Sequence, residues 1–186
     1  MKVKRLSQML FFTLLMSATT MSFAARQGVD FFYGIGLNAT YIDQTAPQTE
    51  YDVAGGGEFI AGFEEDGWAL EYIAYHTIEA ETSIVNLEYK LKGSATSLSY
   101  RTAESGGIYY KFRYGEFDTD ALWSTNTTTA IDGQSYGLGI GFRLEKEKRI
   151  ELEYTFVSAD SSSGFPDAHM LSLRYLFGGN PGRVGL

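Results

Sequence analysis

The chain has no cysteine, two histidines and three prolines among its 186 residues. Without cysteine there is no disulfide framework and no thiolate metal site. Two histidines cannot build a histidine-rich metal centre, so no metal and no cofactor is expected. Positive charge is also scarce: 15 Lys and Arg stand against 23 Asp and Glu, for a formal net charge of −8. An acidic surface repels a phosphate backbone, so nucleic acid is not an expected partner. Long apolar runs are missing too. The uncharged apolar stretch 9–16 is too short to cross a bilayer as a helix, which takes about 20 residues.

That stretch belongs to another pattern. Lys2, Lys4 and Arg5 precede it, and small or polar residues follow it up to Ser22, Phe23 and Ala24, with Ala25 next. This is the layout of a secretory signal peptide, with cleavage expected after Ala24. The expected organisation is therefore a signal peptide over 1–24, one folded domain over 25–177, and a flexible tail over 178–186, whose sequence GGNPGRVGL has no periodicity. Removing Lys2, Lys4 and Arg5 takes the formal charge from −8 to −11. Any membrane crossing by the remaining chain must be made by strands.

What the chain does have is aromatic residues, glycine and strict alternation. In 136–156, YGLGIGFRLEKEKRIELEYTF, Tyr136, Leu138, Ile140 and Phe142 share one face while Gly137, Gly139, Gly141 and Arg143 share the other. After a charged turn, Ile150, Leu152, Tyr154 and Phe156 oppose Glu151, Glu153 and Thr155. Period two means β-strands, because successive side chains of a pleated strand point to opposite faces. The same rhythm predicts strands over 31–42, 57–63, 68–75, 96–101, 108–115 and 170–177, making eight with this hairpin. Residues 85–92 alternate as well, but with parity opposite to 96–101, which predicts a bulge or turn near Gly93. This segment is expected in a hairpin projecting beyond the membrane.

None of the apolar-face positions carries a charge, although 20% of the chain is charged. A sandwich core and a lipid-facing barrel wall both satisfy that. The opposite face separates them. It holds Gly34, Gly36, Gly62, Gly115, Gly137, Gly139 and Gly141 among Glu58, Glu71, Arg101, Lys111, Arg113, Arg143, Glu151, Glu153 and Arg174. Glycine is a poor choice for a solvated strand surface. Small residues interleaved with balanced charges suit the lumen of an eight-stranded barrel, which has room only for side chains that pair. Those nine ionisable residues are the expected interior polar cluster, with Glu71 and Glu151 or Glu153 paired to the bases. Such a cluster predicts a closed plug in preference to a narrow or gated pore.

The connections sort by length. Segments 43–52, 76–93, 116–133 and 158–167 read as long loops and 64–67, 103–107 and 145–148 as short turns, as in bacterial membrane barrels. Aromatics fall at strand ends, where interfacial girdles stand. Tyr33, Phe63, Trp68, Tyr100, Phe142 and Phe177 mark the turn side, and Tyr41, Tyr114, Tyr136 and Phe156 the loop side. The reading is all-β: an eight-stranded antiparallel up-and-down transmembrane β-barrel with a polar interior.

From residue 31 to 177 the chain resembles the small outer-membrane β-barrel family, similar to the transmembrane domain of outer membrane protein A and related eight-stranded porin-like barrels. The resemblance rests on the signal peptide, the alternating strands, the hairpin GLGIGFRLEKEKRIELEYTF and the last strand HMLSLRYLF. It implies a bacterial outer-membrane location, both termini on the periplasmic side, contact with outer-membrane lipid and lipopolysaccharide, and assembly by the barrel assembly machinery through a last strand ending in Phe177. A monomer is expected. Nine residues follow Phe177, a departure from the family pattern, in which the aromatic closes the chain.

Chemical motifs are sparse. His76 and His169 fall near loop ends, and Ser161, Ser162 and Ser163 lie close to His169 in sequence. Some related barrels are lipid A-modifying enzymes that use His, Ser and an acid, but no spacing here matches one. Girdle histidines and no catalytic residues are the expectation. Glu116, Asp118 and Asp120 lack the length and glycine of a Ca²⁺ loop. The glycines of GLGIG precede no helix and are not a dinucleotide fingerprint. Asn126-Thr127-Thr128 matches a glycosylation sequon by chance.

Overall fold

The computed structural model describes residues 29–43, 50–84, 87–145, 147–160 and 165–178. The expected signal peptide, the tail beyond Gly178 and Ser161 to Ser163 lie outside the described residues. Nine strands follow in order: β1 (Asp30–Ile42), β2 (Ala54–Glu65), β3 (Trp68–Thr77), β4 (Ala80–Glu81), β5 (Glu88–Arg101), β6 (Ile108–Trp123), β7 (Thr128–Glu145), β8 (Lys148–Ala159) and β9 (Ala168–Gly178). Every pairing is antiparallel. β1 pairs with β9, and β3 pairs with β5 past the two-residue β4, so eight strands close on themselves. Closure leaves no sheet edge unpaired, which is the condition for strands to lie in lipid.

The turn-side connections are tight because the sequence supplies turn residues. Between β2 and β3, Asp66 and Gly67 both have positive φ, 49° and 84°, the geometry of a two-residue primed hairpin turn. At Gly67 a Cβ would also run into the Arg101 carbonyl oxygen.

The expected lipid face points outward. Ile35, Leu37 and Leu138 are 63%, 70% and 59% exposed, values foreign to a water-bathed surface made of such residues. At the loop end Tyr114, Tyr136, Phe156, His169 and Tyr41 stand directly opposite one another across five strands. Successive ring centroids are 5.3, 6.4, 5.3 and 6.1 Å apart. At the turn end Trp68 meets Tyr100 at 5.0 Å, Phe31 meets Phe63 at 5.4 Å and Tyr33 meets Phe177 at 5.3 Å. These are the two aromatic girdles of a membrane barrel.

Two expectations are corrected. There is no bulge or turn at Gly93: β5 runs unbroken from Glu88 to Arg101 with constant register against β3 and β6. Residues 116–133 are not a loop, because β6 and β7 continue to Trp123 and from Thr128, leaving only 124–127 as the turn. Both have one cause. Below the girdle the outside is lipid, so apolar residues point out; above it the outside is water, so apolar residues point in. Tyr89 and Leu91 are buried inside while Leu98 faces out, and Phe117 is buried inside while Tyr114 faces out. The solvent reverses and the strand does not.

Candidate functional site

The interior is filled in two layers. In the turn-side part, β2 supplies Glu58 and Glu64, β3 Glu71, β5 Arg101, β6 Lys111 and Arg113, β8 Arg149, Glu151 and Glu153, and β9 Arg174. All are buried, and the five acids balance the five bases. β1 and β7 provide the space instead. At Gly36 a Cβ would meet the Glu58 carboxylate, and at Gly141 it would collide with the Tyr109 ring.

Lys111 Nζ lies at the centre, 2.9 Å from Glu71, 3.1 Å from Glu151 and 2.9 Å from Glu153. Arg101 donates through Nη2 to Glu71 at 2.6 Å and through Nε to Glu151 at 2.8 Å. Glu153 also meets Arg113 Nε at 2.9 Å and Arg174 Nη1 at 2.8 Å. Arg174 Nε donates to Glu58 at 2.5 Å. Hydroxyls complete the network: Tyr109 donates to Glu151, Ser99 to Glu71 and Ser172 to Glu58. Buried charges persist only when paired and hydrogen-bonded in this way.

Eight of the nine residues expected inside come together here, and one does not. Arg143 sits at the turn-side rim, 20% exposed, with its Nε 2.7 Å from Glu104. It leaves the cluster because β7 ends there, at a register irregularity between Arg143 and Glu145. Two members were missed. Glu64 was read as part of the turn 64–67, and Arg149 fell between the turn 145–148 and the strand positions counted from Ile150, yet Arg149 Nη1 donates to Glu64 at 3.0 Å, both buried. Their parity with Glu58 and Glu151 was the available signal. Arg101 and Arg149 also stand over the Phe32 ring, 4.8 and 5.3 Å from its centroid.

The loop-side layer is apolar, contrary to the expectation of a wholly polar interior. Ile42, Tyr75, Tyr89, Leu91, Phe117, Ile131, Val157 and Met170 pack there. Tyr75 stacks on Phe117, centroids 5.7 Å apart, and its hydroxyl bonds to Thr119. Two loops cap this layer. Tyr51 meets Tyr89 edge-on at 5.6 Å and Phe165 at 6.4 Å, while Tyr89 donates to the Asp52 carbonyl at 2.6 Å.

Of the two histidines, His76 is exposed on the outer wall opposite Lys92. His169 is held at both ring nitrogens, Nε2 3.1 Å from Asp43 and Nδ1 2.5 Å from the Tyr154 hydroxyl. Glu116, Asp118 and Asp120 project from alternate positions of β6 toward the outside. Among the described residues no group of three or more His, Asp or Glu side chains is placed to hold a metal ion.

A closed antiparallel eight-stranded sheet, apolar outside between two aromatic girdles and charged within, defines the class: an outer-membrane β-barrel of the small kind. No protein-family model and no functionally described protein matches the sequence. Solved structures with the same fold do. The attachment invasion locus protein Ail of Yersinia pestis aligns at a TM-score of 0.56 and 13% identity, covering 82% of this chain and 99% of Ail. Neisserial surface protein A aligns at 0.57 and 10%, covering 81% and 97%. The N-terminal β-barrel domain of Pseudomonas aeruginosa OprF aligns at 0.53 and 12%, covering 82% and 98%. At these identities the likeness is one of fold.

Proposed function

We propose that this chain is a sealed outer-membrane barrel with a structural or surface-interaction role, acting through its loop end and outer wall and not through its lumen. The observation that carries the reading is the double filling of the interior, an ion-paired layer beneath an apolar layer capped by Tyr51 and Phe165. The interior cluster is structural: it satisfies the charges that allow a barrel this narrow to close around polar side chains. The short turns face the periplasm and the loops face the cell exterior. Outer-membrane lipid and lipopolysaccharide surround the apolar band, the assembly machinery takes the chain through β9 and its terminal Phe177, and the barrel works as a monomer.

Planar-bilayer recording of the purified, refolded protein tests the sealed lumen. No conductance steps are expected; steady steps would favour the narrow pore. The chain is not an enzyme in this reading. His169, engaged at both nitrogens by Asp43 and Tyr154, serves the girdle and braces two loop bases. Lipid A mass spectrometry of cells expressing the protein checks this, and a new mass loss or gain on lipid A would overturn it.

A further inference from the structure

Beyond the aromatic row β5, β6 and β7 continue together and end at a hollow of ≈ 470 Å³. Its floor is the outward row Lys90, Leu122 and Thr128, directly opposite one another across the three strands. Glu79 and Glu88 also line it, and the turn 124–127 closes it with Asn126 and Thr127. Leu122 and Thr128 lie farther toward the loop end of β6 and β7 than Tyr114 and Tyr136, so the hollow opens to water and not to lipid. Hairpin tips are commonly loose, but this one is fastened. Glu88 N–H donates to Ser124 Oγ at 3.1 Å, and Ser124 N–H donates to the Glu88 carbonyl at 3.0 Å. Trp123 N–H donates to the Thr127 carbonyl and Asn126 N–H to the Trp123 carbonyl, both at 3.0 Å. The Trp123 indole N–H holds Thr129 at 3.0 Å, and the Thr125 and Thr127 hydroxyls share a bond at 2.9 Å. The shape of the hollow is thus set before a ligand arrives.

The lining selects against charge of either sign. Lys90 Nζ already stands 3.1 Å from Glu79, and Glu88 makes no ion pair among the described residues, so an anion entering here meets an uncompensated carboxylate. A cation gains Glu88 but meets the Lys90 ammonium on the floor. The Trp123 ring packs on the inner side against Tyr89, which leaves Leu122 as the apolar part of the floor, too little for an acyl chain. The remaining class is an uncharged ligand with many hydroxyl groups and a small apolar face. A sugar ring is of that kind: its hydroxyls donate to carboxylates and accept from amide and ammonium groups, while its C–H face rests on an aliphatic side chain. Asn126 fits the same reading. At φ 61° glycine would serve the turn equally well, and asparagine adds an amide that both donates and accepts.

We infer that this hollow binds an uncharged sugar residue of a glycan on an encountered surface: Glu79 and Glu88 accept from its hydroxyls, Lys90 and Asn126 donate to them, and Leu122 takes its C–H face. The inference rests on the surface-interaction reading with the loop end outward, and it names the partner class. It is tested by passing the full chain, held in detergent, over an array of neutral hexose and N-acetylhexosamine oligosaccharides. Parallel arms carry the same backbones bearing sulfate or uronic acid, and backbones bearing free amines. Retention on neutral glycans and not on either charged arm is expected. Asn126→Gly, which keeps the turn and removes the amide, and Thr128→Trp, which fills the hollow, each weaken retention about tenfold or more. Leu171→Trp, on the distant β9 wall, leaves it unchanged. Retention on a charged arm equal to or above the neutral one, no retention on any arm, or equal retention by all three variants overturns the inference while leaving the barrel intact. A wild-type chain without heat-modifiable migration in detergent overturns the barrel reading and this one with it.

Discussion

Removing single cations from the interior should separate a dry, ion-paired lumen from a wet one, and the structure ranks the outcomes. Glu58 pairs, among the described residues, with Arg174 and the Ser172 hydroxyl. Arg174→Met therefore leaves one buried carboxylate with no cation, the case in which breaking a buried pair costs about 3–5 kcal/mol, and the upper end, about 5 kcal/mol, is expected. Lys111 touches three carboxylates, but each keeps another cation: Arg101 holds Glu71 and Glu151, and Arg113 and Arg174 hold Glu153. Lys111→Met spreads its one uncompensated charge over a network, so about 3 kcal/mol is expected. Arg143→Met, at the solvated rim, should cost under about 1 kcal/mol. The double change Arg174→Met with Glu58→Leu should recover most of the Arg174 loss, since both charges leave together. Urea unfolding in detergent micelles, followed by Trp68 and Trp123 fluorescence and by heat-modifiable migration, measures all four. Losses under about 1 kcal/mol for both Arg174→Met and Lys111→Met would mean that water solvates the layer, and the sealed-lumen argument would fail.

Other outcomes follow from the same geometry. Leu138→Lys, on the lipid face of β7, should cost about 2–4 kcal/mol if placed near the midplane. Ala130→Lys, exposed on the same face beyond Tyr136, should stay within about 0.5 kcal/mol; equal effects in the unfolding assay would misplace the membrane boundary. Gly141→Val should drive the Tyr109 ring off its position against Glu151, destabilising by about 1–3 kcal/mol, whereas Gly55→Val, where a Cβ meets nothing, should be nearly silent. Phe165→Ala removes part of the aromatic cap yet leaves both layers beneath it, so bilayers should stay silent with this variant; channels would show that the cap alone closes the barrel.

The strands were legible wherever one solvent bathed them throughout. From 136 to 156 lipid lies outside and the charged layer inside, so alternation alone assigned both faces. Reading failed where the solvent changed along a strand. Tyr89, Leu91, Phe117, Ile131 and Val157 obey the same pleat as their neighbours, but above the girdle the apolar side turns inward. On paper that looks like a bulge at Gly93 or a patternless loop after Gly115. A parity reversal that several strands share is a marker of membrane exit, and it becomes one only when the strands are set side by side. Glu64 and Arg149 were lost for a simpler reason: the turn 64–67 took in Glu64, and Arg149 fell between the turn 145–148 and the strand counted from Ile150.

The sequence by itself determined the architecture. Period-two alternation, a face free of charge, a face of glycines and balanced ions, and turn residues at Asp66 and Gly67 require short-range physics only. Tertiary structure decided which charge meets which. Arg101 and Glu151 lie 50 residues apart, and Arg174 and Glu58 lie 116 apart. Such pairs depend on the register of eight strands closing at once, and alternation tells a residue which face it occupies but not how high it stands. Closure also decided that Tyr114, Tyr136, Phe156, His169 and Tyr41 stand side by side, because a row of rings across five strands exists only once those strands are in register.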